Sequence, residues 1–212
     1  MKILKSTVTY CVNFITKIIF LLTTLQIQVL TAQGVVLEQD QRIKKDKFYY
    51  EHTDLTYLTK TYQISKSWDV TPFTGYRLIY ENKKGFKTYS RFHIGSHVKV
   101  QGKWGKIAFR NRYEFTPGHE LGDLYTKNDN RFRERIKYYA PFSFTKYKIT
   151  PNISDEFFFD LDNFDYNRNR FAIGLGAKVW RLSPELYYFA EFKKNSNWKR
   201  IDVIGFLVKY KF

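Results

Sequence analysis

From Gly34 to the end of the chain, apolar and polar residues trade places one at a time, in stretches broken by turn-forming residues. A period of two marks a strand with two unlike faces, and no stretch after Gln33 carries a helical period. Ten segments show the alternation: 34–44, 48–64, 69–81, 88–100, 105–116, 131–147, 153–162, 168–179, 184–194 and 198–212. The first two are the least regular, and merging or losing a pair leaves eight. Short connections (65–68, 101–104, 148–152, 180–183) interleave with longer ones (82–87, 117–130, 163–167). Short turns at one end and long loops at the other bring both termini to the same end and require an even strand count. The expected fold is all-β: a closed antiparallel up-and-down transmembrane β-barrel of ten strands, or of eight.

Alternation also assigns the faces. In 105–116, Ile107, Phe109, Tyr113 and Phe115 oppose Lys106, Arg110, Arg112 and Glu114. In 131–147, Phe132, Ile136, Tyr138, Phe142 and Phe144 oppose Arg131, Arg133, Arg135 and Lys137, with Glu134 breaking the apolar face near a loop. In 168–179, Phe171, Ile173, Leu175 and Val179 oppose Arg168, Arg170, Gly174, Gly176 and Lys178. In 88–100, Phe92, Ile94 and Val98 oppose Arg91, His93, His97 and Lys99. Glu114, Glu156, Asp160, Asp162, Glu185 and Glu191 share the arginine face. A barrel this narrow has little room for bulk water, so charges inside it must be paired. The candidate lumen network is therefore Arg91, Arg110, Arg112, Glu114, Arg131, Arg133, Arg135, Glu156, Asp160, Arg168, Arg170 and Glu191.

The last segment adds a second signal. Ile204, Phe206, Val208, Tyr210 and Phe212 lie on one face. Gly205, Val208, Tyr210 and Phe212 resemble the C-terminal signal read by the barrel-assembly machinery.

Composition sharpens this picture. The chain holds 20 Phe, 17 Tyr and 4 Trp, yet its mean hydropathy is −0.47. A soluble globule would gather so many aromatics into core runs; here they alternate with charge. Positions 1–32 contain Lys2, Lys5 and Lys17, an apolar stretch from Ile18 to Leu25, no acidic residue, and Leu30-Thr31-Ala32. This reads as a signal peptide cleaved near Ala32, leaving a barrel domain of 33–212 in the outer membrane. Removing three lysines lowers the net charge from +16 to +13. The sole cysteine, Cys11, lies before the apolar stretch, so the mature chain has no thiol chemistry. Inward-facing arginines account for the basicity without a nucleic-acid partner; the expected partners are outer-membrane lipid and the assembly machinery.

Several segments resemble the Bacteroidota outer-membrane proteins grouped as the domain-of-unknown-function 2490 family. They are Phe109-Arg110-Asn111-Arg112-Tyr113-Glu114-Phe115, Arg131-Phe132-Arg133-Glu134-Arg135, Asp155-Glu156-Phe157-Phe158-Phe159, Asn167-Arg168-Asn169-Arg170-Phe171 and Gly174-Leu175-Gly176. The resemblance implies an exported barrel and carries no catalytic or ligand residues.

Enzymatic constellations are weak. Ser96 lies between His93 and His97, but alternation turns Ser96 outward and both histidines inward, toward neighbouring carboxylates; Ser90 has the same problem. His93 and His97 are about 13 Å apart along a strand, too far to share an ion. Asp160, Asp162 and Asp165 could attract calcium at a loop mouth, but they lack a dedicated loop's glycine and bidentate glutamate, and pairing with Arg168 and Arg170 competes. His119, Glu120 and Asp123 read as solvated loop residues. There is no CxxC, HExxH or phosphate-cradling glycine loop. The expectation is a non-enzymatic barrel without catalytic, cofactor or metal residues, either structural or a narrow, weakly anion-selective pore. The alternatives are an outer-membrane enzyme acting on lipid or peptide at the loop mouth, and a soluble periplasmic barrel binding a small ligand.

Overall fold

A computed structural model describes residues 34–44, 47–82, 86–118, 120–121, 124–125, 129–146, 148–194 and 197–212. The signal segment and Ala32 lie outside these residues, as do His119 and Asp123. Among the described residues, ten long strands follow one another: β1 Gly34–Lys44, β2 Lys47–Leu58, β3 Trp68–Asn82, β4 Phe86–Gly102 and β5 Gly105–Thr116. They continue with β6 Asp129–Tyr139, β7 Thr150–Asp160, β8 Asp165–Gly176, β9 Leu182–Lys194 and β10 Trp198–Lys211. Each pairs antiparallel with its sequence neighbours. β10 pairs with β1 from Val36–Lys211 to Ile43–Ile204, and the Phe212 amide donates to the Val35 carbonyl at 2.9 Å. The sheet therefore closes, and no long strand keeps an unpaired edge.

Several boundaries differ from the sequence expectation. β6 ends at Tyr139 rather than at 147, because Pro141 has no N–H to extend the ladder. Ala140 donates to the Pro151 carbonyl instead, and Phe144 and Ile149 bridge within the turn. Phe142 and Phe144 thus stack edge-to-face in a connection rather than along a strand. β2 stops at Leu58, short of 64, and Tyr62–Gln63 then pair with Val70 and Asp69. β7 begins at Thr150, ahead of the expected 153, and the connection before it is longer than expected only because β6 ends at Tyr139. Long and short connections are not segregated by end: the end bearing the termini carries 59–67 and 140–149, and the opposite end carries 45–46 and 83–85. Parity and pairing, not loop length, bring the termini together.

The barrel's two faces are opposite in chemistry. Outward lie Ile94, Ile136, Ile153, Phe171, Ile173, Leu175, Leu186, Ile204 and Phe206, with Ile173 49% exposed. All four tryptophans sit at strand ends: Trp68, Trp104 and Trp180 on the terminal side, Trp198 on the other. Trp180 packs against Tyr210, which meets Phe212; at the far end Trp198 packs against Tyr166, which meets Phe157 and Phe159. Outward polar side chains bond to one another: Ser96 donates to Asn111 at 2.8 Å, Thr53 to Gln39 at 2.6 Å and Asn169 to Asp155 at 2.8 Å. Outward Glu134 aligns with Asn111 and Phe157, beside the aromatic cluster.

Candidate functional site

Because successive side chains on a strand point to opposite faces, a one-residue alternation of Arg and Phe sends every arginine to the same side of the wall. Once the wall closes, those arginines meet inside. Glu114 on β5 is their hub. It is 1% exposed and has Arg131 at 2.5 Å, Arg112 at 2.6 Å, Arg133 at 2.7 Å, Arg91 at 3.3 Å and Arg77 at 4.0 Å. Glu156 on β7 takes Arg133 at 2.7 Å, with Arg110 and Arg170 each at 3.2 Å. Glu191 on β9 takes Arg170 at 2.5 Å and Arg168 at 3.9 Å. Shared guanidiniums join these centres: Arg133 bridges Glu114 to Glu156, and Arg170 bridges Glu156 to Glu191.

Two inward rings fill the gaps. Phe158, 2% exposed, has the guanidinium carbons of Arg131, Arg133, Arg168 and Arg170 at 5.5, 4.6, 5.2 and 5.1 Å from its centroid. Arg170 and Arg42 lie 4.5 and 5.2 Å from the Phe189 centroid. A ring face tolerates a cation that a carboxylate has only partly neutralised, and dry surroundings strengthen that contact.

Ten of the residues expected from sequence therefore come together: Arg91, Arg110, Arg112, Glu114, Arg131, Arg133, Glu156, Arg168, Arg170 and Glu191. Two do not join as expected. Asp160 lies at the end of β7 and closes the turn, accepting from the Asp162 and Asn163 amides at 2.9 and 3.1 Å. Its neighbours follow suit: Asp162 accepts from Asn130, and Asp165 pairs with Lys194 at 3.0 Å rather than with Arg168 or Arg170. A short acidic chain at a strand end is better placed to satisfy turn amides than to reach back into the lumen. Arg135 faces inward, yet no carboxylate among the described residues pairs with it, and its Nε is buried without a hydrogen-bond partner. Of the two histidines, His93 lies 3.4 Å from Asp54, whereas His97 packs on the Phe73 ring at 4.6 Å. Ser96 faces outward, away from both.

The first three strands add residues that sequence reasoning missed. Asp54 is bonded by Arg77 and lies 3.3 Å from Arg112. Asp40 accepts from Arg42 at 2.6 Å and from the Tyr187 hydroxyl. Glu38 pairs with Lys209 at 3.0 Å. Lys137 on β6 and Glu185 on β9, both expected on the inward face, pair at 2.6 Å. Glu38, His52 and Asp54 bring one potential metal-ligand atom each within 4.8 Å of one another. Arg77, Arg112 and Lys209 already neutralise those carboxylates, so this donor set is committed to the protein's own cations.

The C-terminal residues divide between the faces. Gly205 is interior, and a Cβ there would stand 2.3 Å from the Tyr187 hydroxyl, so only glycine admits that ring. Tyr210 and Phe212 sit on the outer surface.

What the site can do chemically follows from its packing. The guanidinium–carboxylate layer leaves a central gap of only about 60 Å³. Arg112 and Glu114 are 2% and 1% exposed, so their charges are buried within the layer and face each other rather than an open space.

No curated protein matches the sequence. Among solved structures, the chain is similar to the NanC porin, with 10% identity over 84% of this chain and 100% of that one and a TM-score of 0.44. It is also similar to the translocator domain of the autotransporter NalP from Neisseria meningitidis, with 9% identity over 86% and 89% and a TM-score of 0.45. The β domain of the Bordetella autotransporter BrkA gives 10% identity over 85% and 99%, with a TM-score of 0.41. The profile of the family described as protein of unknown function (DUF2490) matches residues 19–202, and the chain belongs to that family.

Proposed function

We propose that this protein is a non-enzymatic β-barrel of the outer membrane whose lumen is closed by its own ion pairs. The observation that carries the reading is Glu114, 1% exposed inside the barrel with four arginines within 3.3 Å. Bulk water cannot pass through a layer whose charges are this deeply buried. The outward belt of Ile, Leu and Phe, bounded by tryptophan and tyrosine at both ends, is the surface a bilayer requires of a spanning barrel. Its partners on this reading are lipid and, during assembly, the machinery that reads Gly205, Val208, Tyr210 and Phe212. The segment ending near Ala32 directs export. On this reading the inward arginines account for much of the basicity, and no nucleic-acid partner is needed to explain it.

The test is a conductance measurement on the refolded protein in planar bilayers, beside a heat-modifiability gel of the membrane fraction. The folded band should shift on boiling, and the wild type should show no steady conductance. A steady ohmic current from the wild type would overturn the closed-lumen reading. Recovery in the soluble periplasmic fraction would overturn the membrane one.

A further inference from the structure

Acid and base are not balanced along the lumen. Away from the termini, the arginines around Glu114, Glu156 and Glu191 each meet a carboxylate. Toward the end bearing the termini, Lys137 has Glu185 at 2.6 Å and Lys99 has Asp69 at 3.6 Å, but cations outnumber carboxylates around the cavity there. A cavity of about 250 Å³ lies there, with His97, Lys99, Lys106, Arg110, Arg135 and Lys211 in its wall. Its only two carboxylates are Glu38, held by Lys209 at 3.0 Å, and Asp54, held by Arg77 and Arg112.

Register explains why this wall is so basic. Arg110 stands directly opposite His97 on β4 and opposite Arg135 on β6. Like charges facing each other across a ladder destabilise it unless something lies between them. Arg110 has Glu156 at 3.2 Å, but Arg135 has no carboxylate among the described residues and a buried Nε without a partner. Among the described residues, Lys106 has the Tyr139 ring 4.0 Å away and no paired carboxylate. The space exists because the inward residue between Lys106 and Arg110 is Ala108. Above the cavity the plug is shut. Below, it shares Lys106, Tyr139 and Lys209 with a wide mouth of about 660 Å³ that also carries Lys103, Lys148 and Lys178.

We propose that this dead-end pocket binds a small phosphate-class oxyanion, free or as a small monoester, entering from the end where the termini lie. Arg135 and Arg110 supply the guanidinium donors, whose planar forks match phosphate oxygens. Lys106 adds a third positive charge, and Lys99, 3.6 Å from Asp69, stands at the edge of the wall. The rim lysines draw the anion toward the mouth.

The experiment uses the refolded full-length mature chain in an uncharged detergent. Inorganic phosphate and glycerol phosphate are titrated calorimetrically and in thermal unfolding, against chloride at matched ionic strength. Saturable binding that raises the unfolding midpoint is expected from at least one of the two, and comparing them separates free phosphate from the ester. Arg135→Gln should weaken binding about ten-fold or more, since a hydrogen bond to a charged group is lost. It removes a repelling charge, so the barrel should still fold. Ala108→Leu fills the pocket without altering charge and should also abolish binding; it decides the matter if the first variant does not fold. Arg200→Gln, on the outer wall, should bind like wild type. Stabilisation by phosphate no greater than by chloride, or unchanged affinity in Arg135→Gln, overturns the site. Either result leaves the closed-lumen reading standing, because conductance tests that separately.

Discussion

Replacing Glu114 with Gln tests the plug at its centre. The substitution preserves shape and removes one charge from a point where Arg131, Arg112, Arg133 and Arg91 approach within 2.5, 2.6, 2.7 and 3.3 Å. Removing one member of a buried pair costs about 3–5 kcal/mol, because the remaining charge stays buried without compensation. Here several guanidiniums are affected at once. Arg133 and Arg91 keep partial partners in Glu156 and Asp129, while Arg131 loses its 2.5 Å contact with Glu114. Residual pairing keeps the loss near that range rather than at a multiple of it. Glu191→Gln is the internal comparison: among the described residues Glu191 pairs with Arg170 at 2.5 Å and Arg168 at 3.9 Å, and Arg170 retains Glu156. Losing hydrogen bonds to one charged group predicts about 1.5–3 kcal/mol. The assay is urea unfolding of the refolded barrel in lipid vesicles, followed by tryptophan fluorescence. Adding Arg131→Met to Glu114→Gln should recover part of the loss, because the cluster then holds one cation fewer. A loss below about 1 kcal/mol for Glu114→Gln, or a smaller loss than for Glu191→Gln, would refute the claim that Glu114 neutralises this cluster in a dry interior.

Ile173→Arg should cost about 2–4 kcal/mol in the same assay, by placing a charge on the lipid face. In whole membranes, Ile173→Cys should react only with an apolar maleimide, and Arg110→Cys only slowly with a charged one; the reverse pattern would invert the faces. Phe158→Ala should cost about 3–5 kcal/mol, since it leaves a cavity beneath four guanidiniums, and unchanged stability would count against the ring as a structural partner. Deleting Phe212 should deplete the protein from the outer membrane in a fractionation blot. Mass spectrometry of the exported protein should show Gln33 as its first residue.

Much of this fold is legible in the chain because alternation is a local property. Ile107-Ala108-Phe109-Arg110 declares its two faces with no knowledge of the neighbouring strands, and ten such segments imply closure. Strands β1 and β2 were the least regular in sequence for a visible reason. Their outer face carries Gln39, Gln41 and Thr53 as well as apolar residues, so polar side chains occur on both sides and the period fades. Asp40, His52 and Asp54 were hidden by that polarity. Strand ends were legible only where a residue forbids continuation, as Pro141 does.

Period two and the placement of turn residues by themselves determined an even-stranded barrel, the aromatic exterior, and the inward face shared by the arginines and Glu114, Glu156 and Glu191. Only the closed tertiary structure decided which charge meets which. Asp54 and Arg112 lie 58 residues apart, and their contact depends on the stagger of four strands. The same closure put Glu156 within reach of Arg110, Arg133 and Arg170 and left Arg135 without an ion-paired carboxylate among the described residues. A strand's own residues choose a side of the wall, but partners across a lumen are chosen by register summed around the whole barrel.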